Sequence, residues 1–241
     1  MNRTARAVLS AGLAAVIPLA TAAEFSCGAD APLGLPVTLE YGVIASRAVL
    51  SLSGDGVVIY RRKGDAYSME SSLQAAGIIE ARQSSVGTVG REGLVPRTFT
   101  QRSSRRPPRS AEFDWAAQRV TFSQTGASAP TRPQMQDRLS LLMQLPWRHR
   151  ADPRAQSIEL PVAGQGGASV YRFKAQGEES LALPAGRFET VKFERHKQDG
   201  EDSLEVWLAP ALCSLPVRLR FADEKGLVIE QQLRAVRTGP P

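Results

Sequence analysis

Two histidines and two cysteines are all that this 241-residue chain carries of the side chains most used for metal ligation and nucleophilic chemistry. The histidines, His149 and His196, lie in basic runs, Arg148-His149-Arg150 and Arg195-His196-Lys197. Both are read as solvated loop or strand-end positions. There is no Gly-x-Ser-x-Gly elbow, no His-Glu-x-x-His, no Cys-x-x-Cys and no phosphate-binding glycine loop. No enzyme and no cofactor is therefore expected, catalytic residues included. The acids at Glu178-Glu179 and Asp199-Gly200-Glu201-Asp202 lack the alternating ligand spacing of a calcium loop, so no metal site is expected either.

Aromatics are also scarce, at 6 % of residues. That excludes a stacking platform for single-stranded nucleic acid. Beyond residue 23 no run is long and apolar enough to span a bilayer.

The chain opens on a targeting pattern. Arg3 and Arg6 precede an apolar run from Ala7 to Leu19, and Ala20-Thr21-Ala22-Ala23 supplies small residues for cleavage. Residues 1–23 are expected to be an export signal, 24–36 a linker and 37–237 one β-rich domain. Loss of Arg3 and Arg6 lowers the formal charge from +6 by two, which leaves a mildly basic protein with no nucleic-acid partner indicated. The expected location is the periplasm, with no integral span after cleavage. In an oxidising compartment Cys27 and Cys213 invite a disulfide, with two buried thiols as the alternative.

Apolar residues recur at every second position in many short runs. Val37, Leu39, Tyr41 and Val43 alternate with Thr38, Glu40 and Gly42; Leu215, Val217, Leu219 and Phe221 alternate with Pro216, Arg218 and Arg220. Turn residues separate the runs, as at Ser53-Gly54-Asp55-Gly56 and Lys63-Gly64-Asp65. About a dozen antiparallel strands follow from this pattern. Sheets of that size curl or close. The expected class is mainly β, a large curved antiparallel sheet or incomplete meander barrel.

One helix interrupts it. Thr131-Arg132-Pro133-Gln134 reads as a capping box, and Met135, Leu139, Leu142 and Met143 share one helical face. Pro146 is expected to end the helix at Leu145. This amphipathic helix is the natural plug or lid for the concave side. Met135, Leu139, Leu142 and Met143, with Trp115 and Trp207, are the candidate cavity or lid residues; core packing is the default for the tryptophans. Arg102, Arg105, Arg106 and Arg109, and Arg148, Arg150 and Arg154, form two basic runs read as loops. They are candidates for contact with an anionic surface, or simply solvated.

Several pieces in series resemble one family. They are Gly93-Leu94-Val95-Pro96, Phe113-Asp114-Trp115 with Val120-Thr121-Phe122, and Asp137-Arg138-Leu139-Ser140. Leu183-Pro184-Ala185-Gly186-Arg187-Phe188, Val206-Trp207-Leu208-Ala209-Pro210 and Leu215-Pro216-Val217-Arg218 complete the series. Their order resembles the DUF3108 family of exported bacterial proteins over residues 36–236. The resemblance implies a β-rich exported protein of unknown function. More loosely the pattern is similar to curved-sheet lipoprotein carriers, in which a half-open barrel with a helix plug holds acyl chains. Two functions stay open at this point. One is a carrier of a lipid or other apolar ligand; the other is a filled scaffold module that meets an envelope protein partner through its surface.

Overall fold

Alternation dictates the first strand. In β1 (Val37–Arg47) the odd positions Val37 to Ala45 are buried, and the residues between them are more exposed. Side chains of successive strand residues point to opposite faces, so one face of β1 packs on a core. The computed structural model of the chain describes residues 27–28, 30–77, 79–104, 106–164, 166–197 and 201–239. The expected export signal and Arg105 lie outside them, as does the side chain of Arg106.

The first half continues through β2 (Leu50–Lys63), β3 (Ala66–Ala75), β4 (Ile79–Gly90), β5 (Gly93–Ser103), β6 (Arg106–Asp114), β7 (Arg119–Phe122), β8 (Ser128–Pro130) and β9 (Gln136–Asp137). Helix α1 (Leu141–Ala151) follows. The second half holds β10 (Ser157–Ala163), β11 (Ala168–Leu183), β12 (Gly186–His196), β13 (Ser203–Ala209), β14 (Leu215–Ala222) and β15 (Leu227–Thr238).

All fifteen strands form one sheet, in the order β8-β7-β6-β5-β4-β3-β2-β1-β15-β14-β13-β12-β11-β10-β9. The first and last long strands pair at its centre, and two wings run outward as meanders. Every pairing is antiparallel except β9 with β10, which makes the sheet mixed. Backbone pairing does not close it: β8 and β9 are its two edges. Bulges at Glu40/Tyr41, Val86/Gly87, Ala175/Gly177 and Trp207/Leu208 add twist. The sheet curls far enough for Tyr41 to donate from Oη to the Pro216 carbonyl at 2.7 Å, and for the Ala185 N–H to reach the Leu233 carbonyl at 3.0 Å.

The helix differs from its expected bounds. It starts at Leu141, not near Thr131, and passes through Pro146 to Ala151. Gln134 takes a left-handed φ of 59°, which stops helical propagation there. Gln136 and Asp137 pair instead with Val162 and Ala163. Pro146 is tolerated at the cost of one helical hydrogen bond. The basic run at Arg148-His149-Arg150 is thus the last turn of a helix, not a loop.

Two turns also move. Residues 53–56 do not turn; β2 runs through them, and its hairpin to β1 turns at Ala48-Val49. A Cβ on Gly54 would sit 1.8 Å from the Gln74 carbonyl oxygen, so glycine here permits close strand approach. The Pro-containing run 102–109 spans the end of β5 and start of β6.

Residues 31–33, shortly before β1, are buried. Leu33 is fully buried, and its carbonyl accepts the Tyr60 hydroxyl at 2.8 Å. Cys27 and Cys213 are disulfide-bonded, with Cα atoms 5.4 Å apart and a sequence separation of 186.

Candidate functional site

The concave face is filled at one end and open at the other. The filled end lies beneath β9 and the start of α1, where Met135, Leu139 and Met143 are buried in the core. A buried polar knot fixes the entry to the helix. Asp137 accepts the Leu139 and Ser140 N–H groups at 2.8 Å each on Oδ1, and the Ser85 hydroxyl at 2.6 Å on Oδ2. Ser85 also hydrogen-bonds the Tyr67 hydroxyl at 2.9 Å. Burial pushes the Asp137 carboxyl above the usual carboxylate range, and the Ser85, Ser140 and Leu139 hydrogen bonds oppose it. Burial likewise raises the Tyr41, Tyr60 and Tyr67 phenols.

The open end is a cavity of about 750 Å³. That is a volume suited to one small molecule. Cross-strand register builds its first wall. Leu52, Ala45, Ile229, Phe221 and Leu204 are successive Cα partners on β2, β1, β15, β14 and β13, and all line the cavity. All but Ala45 are only half-buried. This is the concave apolar face of the sheet, only partly covered, with Leu204 against the core and Arg138 over Phe221. Leu141 and Leu142, the first residues of α1, form the inner end.

Register builds the second wall from polar residues. On β3, β4 and β5 the core positions Met69, Ser85 and Phe99 are cross-strand partners. Two residues along on the same face stand Ser71, Gln83 and Gln101, again partners and all cavity-lining. Gln231 on β15 faces the same space. The side-chain amides of Gln83, Gln101 and Gln231 hydrogen-bond no described residue.

Of the three lining cations Arg138 and Arg195 face acids, while Arg47 is exposed and makes no ion pair among the described residues. Arg195 is 6 % exposed, lies 3.7 Å over the Tyr171 ring and pairs with Glu201 at 2.8 Å. Arg138 stands 3.9 Å from Asp202 and 5.8 Å over the Phe221 ring. Glu80 pairs with Arg82 at 2.9 Å. Among the described residues no group of three or more His, Cys, Asp or Glu side chains gathers to hold a metal.

Of the candidates read from the sequence, Leu142 lines the cavity; Met135, Leu139 and Met143 do not. Trp115 stacks 5.9 Å from Phe113 and donates to the Pro96 carbonyl at 2.7 Å. Trp207 lies on the opposite face of the sheet from Val206, between Lys192 and Arg218, and donates to Glu179 at 2.7 Å. Among the described residues Arg102 lies far from Arg148 and Arg150. Arg102 lies eight residues beyond Leu94 on β5, about 26 Å at about 3.3 Å per residue. Arg148 and Arg150 belong to the other end, where Gln144 of the same helix grips Leu94 and Arg150 donates to the Gly28 carbonyl at 3.3 Å. The polar wall and the Arg138–Arg195 pair were not among the sequence candidates. Their only local signal is a core-face alternation that turns polar at Ser71, Gln83 and Gln101.

The family model for DUF3108, a protein of unknown function, matches residues 37–232. The chain belongs to the DUF3108 family. Among curated proteins none matches it. This DUF3108 fold is similar to a crystal structure of a beta-barrel-like protein of DUF1849 from Brucella abortus. The TM-score is 0.55 at 8 % identity, over 86 % of this chain and 98 % of that one. That likeness concerns the fold alone. A DUF1329 family protein from Desulfovibrio piger aligns at TM-score 0.27 and 11 % identity, over 85 % of each chain. A domain described as that of an outer membrane lipoprotein-sorting protein from Vibrio parahaemolyticus aligns at 0.25 and 11 %, over 84 % of this chain and 85 % of that one. Scores that low carry no argument about this DUF3108 chain. Among the described residues no helix is long and apolar enough to cross a membrane.

Proposed function

We propose that this DUF3108 protein is a non-enzymatic carrier or receptor of the bacterial envelope that holds a lipid or other chain-bearing ligand in its concave cavity. The observation that carries the reading is the half-covered apolar row Leu52–Ala45–Ile229–Phe221–Leu204 along a space of about 750 Å³. An apolar sheet face left uncovered loses the stabilisation of burial, about 25 cal/mol per Å², which a bound chain would supply. Leu141 and Leu142 stop the inner end, so α1 acts as a plug rather than a swinging lid. Export to the periplasm fits the N-terminal pattern and the Cys27–Cys213 bond, since disulfides persist in oxidising compartments.

Native mass spectrometry and lipid extraction of protein purified from its own host test the reading. An adduct of one chain-bearing molecule per protein is expected. Protein that carries no adduct and takes up no fluorescent apolar probe would remove it. The scaffold reading, with an envelope partner on the outer surface or on Arg102, Arg148 and Arg150, would then take its place. The filled end beneath Met135, Leu139 and Met143 favours that second reading.

A further inference from the structure

The two walls of the cavity differ in chemistry, and the difference specifies the ligand. One wall is the apolar row. Facing into the same space are Ser71, Gln83, Gln101 and Gln231, with the three amides unpartnered among the described residues. Each amide offers two N–H donors and a carbonyl acceptor. Their placement comes from the sheet itself: Gln83 and Gln101 are direct cross-strand partners, so their Cβ atoms stand about 5 Å apart. On β5 the packed position two residues before Gln101 on the same face is the apolar Phe99, so Gln101 departs from the pattern of a packed face. Charge recognition has less to work with. Arg195 is engaged by Glu201 and Tyr171, and Arg138 faces Asp202. The third lining cation, Arg47, is exposed at the end of β1, four strands away from β5. A charged head drawn against Gln83 and Gln101 would lose water and find the two more buried cations, Arg138 and Arg195, already facing acids, which is costly.

We infer that the cavity takes a single-chain amphiphile with an uncharged, hydrogen-bonding head, such as a hydroxyl, ester or amide. Its chain lies on the Leu52–Leu204 row, and its head lies against Gln83 and Gln101. The inference rests on the carrier reading and deepens it. A site built to hydrogen-bond a polar group discriminates strongly against ligands that lack it, because the site's own polar groups are then left unpaired.

The test is displacement of N-phenyl-1-naphthylamine from the full mature protein at neutral pH, by probes that share a twelve-carbon chain. These are glycerol monododecanoate, dodecanoate and dodecyltrimethylammonium. The glycerol ester is expected to displace the dye at a concentration lower by about tenfold or more than either charged probe. In the Gln83→Leu/Gln101→Leu variant its advantage should vanish while the dye still binds. Tighter binding of dodecanoate or of the cation to the wild-type protein would overturn the inference and leave the carrier reading standing. An unchanged ranking in the double variant would overturn the assignment to these two amides. Absence of dye and probe binding in the wild-type protein would overturn the carrier reading itself. The wild-type ranking decides the head-group class even if the variant does not fold.

Discussion

Gln144 holds Leu94 across 50 residues of chain: its Oε1 accepts the Leu94 N–H at 2.8 Å, while its Nε2 donates to the neighbouring Glu92 carbonyl at 2.8 Å. Gln136 completes the grip by donating to the Leu94 carbonyl at 2.8 Å, and Trp115 donates to the Pro96 carbonyl. The reason lies in strand length. β6 pairs with β5 only as far as Thr98, so the backbone from Leu94 to Pro96 has one edge without a strand. Side chains from β9, α1 and the end of β6 take that strand's place. They link the two wings where the sheet does not close.

Replacing Gln144 should therefore cost more than an ordinary surface change. Gln144→Leu leaves the Leu94 N–H and the Glu92 carbonyl unpartnered, at about 1–3 kcal/mol for a buried polar group. A loss of about 3 kcal/mol in urea unfolding, with unchanged slope, is expected. A loss under about 0.5 kcal/mol, the ordinary surface range, would show that water replaces the amide.

Gly93 reports on the same contact. Its φ is +105°, and an added Cβ would lie 2.1 Å from Gln144 Oε1. Gly93→Ala is expected to destabilise through both effects, by about 1–3 kcal/mol for the backbone conformation alone. In a Gln144→Ala background the steric part should disappear, so the penalty of Gly93→Ala should shrink. Strict additivity of the two changes would contradict the geometry.

The disulfide spans almost the whole described chain. Cys27→Ser/Cys213→Ser is expected to lower stability by about 2–5 kcal/mol, as for removal of a native disulfide. Far-UV circular dichroism at low denaturant should stay the same, because the fifteen strands pair without it. Equal unfolding midpoints with and without reductant would contradict this.

His149 sets a pH dependence with a definite sign. Its Nδ1 meets Ser214 Oγ at 2.9 Å, its ring is edge-on to Phe193, and its Nε2 is buried without a hydrogen-bond partner among the described residues. Burial lowers its pKa below the ordinary histidine value, partly offset by Asp152. The unfolded chain then binds a proton that the native state refuses, so stability falls as pH drops below about 6.5. His149→Gln should flatten the stability profile between that value and the native pKa. An unaltered profile in the variant would assign the slope to other groups.

Filling the cavity separates binding from folding. Ala81 lines it, between Leu73 on β3 and Ser103 on β5. Ala81→Phe places a ring in open space, so the melting temperature should hold while dye affinity falls by about tenfold, or about 1.4 kcal/mol. Retained affinity would move the ligand elsewhere.

Most of the strands were legible because burial on one face writes itself into alternation. Val37 to Ala45 and Leu215 to Leu219 are plain cases. What misled was punctuation. Gly54 and Gly56 read as a turn, yet they serve close packing, and the true turn at Ala48-Val49 carries no turn residue. Met135 and Leu139 read as a helical face because both are buried; in fact they flank β9, which pairs with a strand 26 residues further on.

The sequence by itself determined the class, the alternating strands, the pairing-ready cysteines and the family likeness. Each depends on residue type and spacing along one segment. Tertiary structure alone decided where α1 begins, that the sheet stays open, and that one end of its concave face is empty. It also decided that Gln83, Gln101 and Gln231 share that space with the Leu52–Leu204 row. Those outcomes depend on register between strands far apart in the chain, and a shift of one residue would turn each side chain to the other face.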